Sequence, residues 1–236
     1  MINLKEHEKK IFSQKGEDGV IEKIFDELKI KNGHCVELGA WDGVKYSNVY
    51  HLIKNKNWSA TMIEADEEKY IELVKNMKNF NVKSIKKMVT LEEDNNLNKI
   101  LGSCGVNKDF DLLSLDLDGC DYWIWRDLKF EPKVVIIEYN SNWEEDVTIE
   151  YDPSHFWDGT QYFGASGSAL NKLAESKGYE LIAHIPNSNL VFIKKELNDH
   201  KFKKVDLTNG IHVSKNHHKK MSNEQKNKLV LNPSVN

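Results

Sequence analysis

The 236-residue chain carries 33 Lys and Arg against 37 Asp and Glu, a formal net charge of −4. Arg126 is the only Arg, so the chain is nearly without the planar forks that grip phosphates and base edges bidentately. With the negative charge this argues against a nucleic-acid partner, and 39% hydrophobic residues with only 4 Pro exclude a disordered chain. No stretch approaches the ~20 apolar residues of a membrane span, and the opening MINLKEHEKKIF lacks the apolar core of a secretory leader. Cys35, Cys104 and Cys120 are widely spaced and form no CxxC pair; they read as reduced thiols of a cytoplasmic protein.

Glu17–Leu28 is the first predicted helix, with Val20, Ile21, Ile24, Phe25 and Leu28 on one face, and residues 1–30 read as an N-terminal helical cap. His34–Leu38 reads as a strand ended by Gly39, followed by a helical stripe of Tyr46, Val49, Tyr50 and Ile53. A strand over Ala60–Ile63, a helix over Glu67–Met77, a strand near Val82–Ile85 and a short helix over Leu97–Leu101 come next. Phe110–Leu117 and Val134–Ile137 are further strands, the second an unbroken apolar run of the kind found in sheets covered on both faces, with a helix over Tyr122–Leu128 between them. Ser141–Phe163 is polar and aromatic, without periodicity. Ala165–Lys177 reads as a helix closed by Gly178, and Tyr179–Ala183 with Leu190–Ile193 as an antiparallel hairpin. The alternation predicts an α/β domain over residues 31–197, a doubly wound, mostly parallel sheet with the hairpin at its edge. Residues 198–236 hold eight Lys against three acids, a basic tail of +5 that leaves −9 on residues 1–197. It either docks as a short helix over Glu224–Leu231 or stays loose, and its His217-His218-Lys219-Lys220 run reads as solvated charge.

Glu37-Leu38-Gly39-Ala40-Trp41-Asp42-Gly43 joins the first strand to a helix, at the sheet end where open α/β folds bind ligands. Its spacing is E-x-G-x-x-x-G, not the three-glycine turn of a dinucleotide site, and its acids repel a pyrophosphate. A cationic ligand with a hydroxyl-rich ribose, such as S-adenosylmethionine, tolerates them. Glu37, Gly39, Asp42, Gly43, Ser47 and Asn48 are therefore candidate cofactor residues, with Asp116 beside them. Glu64 ends the second strand 25 residues beyond Gly39, about where such folds place the acid that accepts ribose hydroxyls, and Asp66 suits the cap of the next helix.

In order and spacing, the segments Ser13–Gly19 (SQKGEDG), Val36–Gly43, Ile63-Glu64, Asp111–Asp121 (DLLSLDLDGCD), Val135–Tyr139 (VIIEY) and Phe163–Ser166 resemble the FkbM-like S-adenosylmethionine-dependent methyltransferases. The resemblance covers residues 13–195 and leaves the tail outside. It implies a Rossmann-like class I methyltransferase fold, a seven-stranded sheet whose last strand is antiparallel. It further implies methylation of a hydroxyl on a sugar, glycan precursor or related small metabolite, with Gln14 and Asp18 folding over cofactor or acceptor. Asp118-Gly119-Cys120-Asp121 stands where many relatives carry Glu-Gly-x-Glu, which shortens the reach of both acids.

Alternation along a strand puts Ser114, Asp116 and Asp118 on one face, and Glu138 ends the neighbouring strand about 4.8 Å away. Three readings stay open. An acid of raised pKa, Asp116 or Glu138, takes the proton of the acceptor hydroxyl; or Asp116, Asp118 and Glu138 hold Mg²⁺ or Mn²⁺; or the acids only cap helices and bond backbone amides. The long loop Trp143–Phe163 reads as a lid or binding surface, with Tyr151, Phe156, Trp157 and Tyr162 suited to stacking on sugar rings and His155 as the alternative general base. N-methylation or methylation of a phosphate-linked oxygen would use the same cofactor half. A nicotinamide oxidoreductase and a non-catalytic binding protein on the same fold complete the alternatives.

Overall fold

The computed structural model describes residues 1–207 and 218–235. In chain order the elements are α1 (Glu17–Leu28), β1 (His34–Leu38), α2 (Tyr50–Lys56), β2 (Ser59–Glu64), α3 (Glu67–Met77), β3 (Val82–Lys86), α4 (Leu97–Ser103), β4 (Leu112–Leu115), α5 (Asp121–Asp127), β5 (Val134–Glu138), β6 (Val147–Ile149), α6 (Gly167–Ser176), β7 (Tyr179–His184), β8 (Asn189–Lys194), α7 (Lys195–Asn198), α8 (Asn223–Asn227) and β9 (Leu229–Leu231).

Seven strands form one sheet in the order β3-β2-β1-β4-β5-β8-β7. β1 to β5 pair in parallel, and β8 runs antiparallel to both β5 and β7. This is the mostly parallel, Rossmann-like arrangement the resemblance implies. The antiparallel strand, β8, lies one place in from the edge, and β7 is outermost.

The unbroken apolar strands follow from burial on both faces. Successive side chains point to opposite sides, so Val36, Leu113 and Val135 join a core with α5 and α6, while Cys35, Leu112 and Val134 join another with α1 and α2. The first core buries Trp123 and Trp125, and the second buries Trp58.

Four departures from the expected elements shape the site. The helix expected from Tyr46 begins only at Tyr50: Tyr46 has φ +64°, and the Ser47 hydroxyl accepts the Val49 and Tyr50 N–H groups at 3.2 and 3.0 Å. β4 ends at Leu115, short of Leu117, because the chain turns. Asp118 takes φ +53°, and the Asp121 carboxylate gathers the Leu117 and Gly119 N–H groups at 2.9 and 3.1 Å. The loop after β5 holds β6, which pairs antiparallel with β9. The tail helix stops at Asn227, inside the expected Glu224–Leu231 span, and Leu229–Leu231 becomes that strand. Ser222 and Gln225 form a capping box at the start of α8. His217 lies outside the described residues. Among those residues, no helix is long and apolar enough to cross a membrane.

Candidate active site

The carboxyl ends of β1, β2, β4 and β5 carry Gly39, Glu64, Asp116 and Glu138 to one edge of the sheet. Leu115 pairs with Ile137, so Asp116 and Glu138 follow on neighbouring strands. Asp118 returns through the left-handed turn rather than by alternation along β4, which has already ended. Asp116, Asp118 and Glu138 each present a carboxylate oxygen, all within 4.8 Å of one another. Asp116 is exposed to solvent.

Among the described residues, no Lys or Arg lies within salt-bridge distance of Asp116, Asp118, Asp121 or Glu138. Loss of hydration, then the neighbouring acids, push Asp116 and Glu138 well above the usual carboxylate range. Burial also raises Asp118, opposed by His155 and His218, and lifts Asp121 to about 6. Acids packed this way share protons and attract cations or hydrogen-bond donors.

Glu37 is only 3% exposed and accepts the Ser47 hydroxyl at 2.7 Å and the Asn48 N–H at 2.9 Å. The structure thus gives Glu37 and Ser47 an internal clamp that holds the turn into α2, while Asn48 Nδ2 donates to Ser114 Oγ at 3.1 Å. Burial lifts the Glu37 carboxyl to about 7. A carboxyl whose folded pKa exceeds its unfolded value loses stability as pH rises between the two, here from about 4.5 to about 7. Glu37→Gln removes that part of the loss, at most about 3 kcal/mol. Melting temperatures from pH 5 to pH 8 are expected to fall less steeply in the variant; an unchanged slope would contradict the assignment.

The remaining predicted cofactor residues divide. Glu64, 7% exposed, accepts the Trp41 N–H at 2.7 Å and the Asp66 N–H at 2.8 Å, one on each oxygen, which leaves lone pairs on both. Asp66 caps α3 as expected. Asp42 closes its own turn, accepting the Val44 and Lys45 N–H groups at 2.8 and 2.7 Å. Gly43 faces α3, where a Cβ would meet Leu73 at 2.6 Å, away from the crevice. At Gly39, φ is +69° and a Cβ would lie 1.9 Å from the Asp116 carbonyl oxygen, so the glycine admits the end of β4. Gln14 is exposed and accepts the Ser188 hydroxyl at 3.3 Å. Asp18 is 1% exposed and binds the chain before it: one carboxylate oxygen takes the N–H groups of Ile11, Phe12 and Ser13, each at 2.8 Å.

Sequence reasoning missed Glu17. It accepts the Ser188 hydroxyl at 2.6 Å and Asn189 Nδ2 at 3.0 Å, and Asn189 pairs with Glu138 across β5 and β8. Glu17 therefore ties the N-terminal motif to the acidic end of the sheet; the signal was its place in SQKGEDG. Asp18 Oδ1, Asn48 Oδ1 and Asn189 Oδ1 are buried without partners. All three are acceptors.

His155 stands over the Asp118-Gly119 turn, where a Gly119 Cβ would lie 2.7 Å from its ring. The ring packs edge-on to Tyr162 at 5.5 Å, and its Nε2 is buried without a partner. Burial lowers its pKa, favouring the neutral imidazole that a base requires. His218 also comes near Asp118, although the tail's run reads in sequence as solvated charge. Its ring contacts Trp157 and Phe163, each at 5.3 Å.

No family model matches the chain, and no curated protein matches it. Similar solved structures include an S-adenosylmethionine-dependent methyltransferase from Aquifex aeolicus, at 12% identity over 72% of this chain and 86% of that one, with a TM-score of 0.42. Another from Clostridium acetobutylicum is 13% identical over 75% and 88%, with a TM-score of 0.45. M. capricolum TrmK, in complex with S-adenosyl-homocysteine, is 13% identical over 73% and 68%, with a TM-score of 0.41. Each likeness concerns the fold alone.

Proposed function

We propose that the chain is an S-adenosylmethionine-dependent methyltransferase, of the FkbM-like kind its motifs resemble, acting on a hydroxyl of a sugar, glycan precursor or related small metabolite. The observation that carries this reading is the convergence of Asp116, Asp118 and Glu138, which among the described residues have no Lys or Arg within salt-bridge distance, beside buried unpartnered oxygens. A pyrophosphate fits such a cluster badly, which disfavours a nicotinamide site. When bound, the cofactor supplies an electrophilic methyl group on a positively charged sulfur.

In this reading Glu64 uses its remaining lone pairs on the ribose hydroxyls, and Asn48 Oδ1 accepts from the ammonium group. Asp116 and Glu138 share protons, so that one of their oxygens is free to accept the acceptor's hydroxyl proton. Neutral His155 is the second candidate for that step. The convergence of Asp116, Asp118 and Glu138 within 4.8 Å also suits Mg²⁺ or Mn²⁺, which would be held by these oxygens and would orient the hydroxyl. Clustered carboxylates repel a phosphate at the reacting end, which favours a sugar hydroxyl over a phosphate-linked oxygen.

The test is transfer from methyl-labelled S-adenosylmethionine to a panel of neutral sugars, amino sugars and sugar phosphates. A methyl ether on a hydroxyl is the expected product. A methyl group found only on nitrogen or on a phosphate oxygen would overturn the acceptor assignment.

A further inference from the structure

The C-terminal segment lies outside the motif-bearing part of the chain, yet it is built into the loop that overhangs the acids. β9 pairs with β6. The Gln161 N–H donates to Lys219 O at 2.9 Å, and the Lys219 N–H donates to Gly159 O at 3.1 Å. Gln225 Nε2 donates to Asp158 Oδ2 at 3.0 Å and Thr160 Oγ1 at 3.2 Å. Lys228 O accepts the Glu150 N–H at 2.8 Å.

Between loop and segment lies a hollow of about 460 Å³, within the roughly 300–1,000 Å³ range of small-molecule sites. Tyr151, His155, Phe156 and Tyr162 line it from the loop, and Gln225 and Lys228 from the segment. His155 is the shared wall. It lines the hollow, packs on the Gly119 turn beside Asp118, and buries an unpartnered Nε2. Phe156 is 73% exposed, an apolar ring with no packing role that accounts for it.

Resting on the methyltransferase reading above, we propose that this hollow holds the non-reacting part of the acceptor, that Phe156 of the loop stacks on it, and that Gln225 of the C-terminal segment positions the Asp158 carboxylate toward it. The chemistry of the walls specifies an uncharged ring bearing hydroxyls. Phe156 offers a face to stack on, and the carboxylates of Glu150, Asp152 and Asp158 offer acceptors for its hydroxyls. A phosphate is disfavoured, because Glu150, Asp152 and Asp158 line the hollow while its one Lys, Lys228, already pairs with Glu224 at 2.9 Å.

Saturation-transfer NMR with methyl glucoside and with glucose 6-phosphate tests this on the full chain, alongside calorimetric titration with S-adenosylhomocysteine. Methyl glucoside is expected to bind the unaltered chain, about fivefold more weakly in Phe156→Ala and about threefold more weakly in Gln225→Ala. S-adenosylhomocysteine affinity stays within about twofold in both variants, because Gln225 bonds Asp158, Thr160 and Ser222 and Phe156 lines the hollow, none of them a candidate cofactor residue. Absence of a glucoside signal, glucoside binding undiminished in both variants, or equal binding of glucose 6-phosphate would overturn the proposal. Failure of the unaltered chain to bind S-adenosylhomocysteine strikes the methyltransferase reading itself.

Discussion

Asp116→Asn is expected to cut methyl transfer by about 10²–10⁴-fold, the range a positioned proton acceptor contributes, and at the same time to make the protein more stable. The two effects have one cause. Loss of hydration and then the charges of Asp118, Asp121, Glu37 and Glu17 raise the Asp116 pKa, and Asn removes the cost of that charge while keeping the shape. Its neighbour Glu138 loses the largest of the charges acting on it and so titrates nearer the ordinary carboxylate range. Steady-state rates together with melting temperatures check this. A variant that keeps its rate within about tenfold would move the proton transfer to His155 or make it dispensable, since methyl transfer depends first on alignment.

Gly39→Ala is expected to destabilise the fold by about 3 kcal/mol or more, from about 1–2 kcal/mol for a left-handed non-glycine residue plus the cost of overpacking. That corresponds to a melting temperature lower by about 6–12 °C in a chain of this size. The cause is the Asp116 carbonyl oxygen, 1.9 Å from where the Cβ would stand. The motif's glycine thus serves the joint between β1 and β4 first, and the crevice only through it. Gly105→Ala is the control: it shares a positive φ, +72°, but has nothing within 4 Å of its Cβ position, so it pays the backbone cost alone. Equal melting temperatures for the two variants would mean that the β1–β4 contact does not govern the position.

The α/β alternation was legible because buried strands and amphipathic helices leave different periods in the sequence, and α3 is found over Glu67–Met77 as read. What escaped was set by side chains bonding backbone. The Ser47 hydroxyl delays α2, and Asp121 folds the chain after β4, so Asp118 reaches Glu138 by a turn that strand alternation could not foresee. Among the site residues, Asp116, Glu138 and Glu64 fall where strand ends put them. Asp42 and Gly43 share the same short motif but are spent on a turn and on α3. The tail was least legible. Its short strand finds a partner 80 residues away, as Ile149 meets Leu229 across the register with Glu150 N–H bonding next to it, and local pattern carries no record of such pairings.

The most direct test of the central claim is calorimetric titration of the unaltered chain and of Glu64→Gln with S-adenosylhomocysteine, with NAD as the comparison ligand. The expected result is saturable binding of S-adenosylhomocysteine, none of NAD, and about 10–100-fold weaker binding in Glu64→Gln, the loss of hydrogen bonds to a charged acceptor. No heat with S-adenosylhomocysteine, or binding of NAD in its place, would contradict the account.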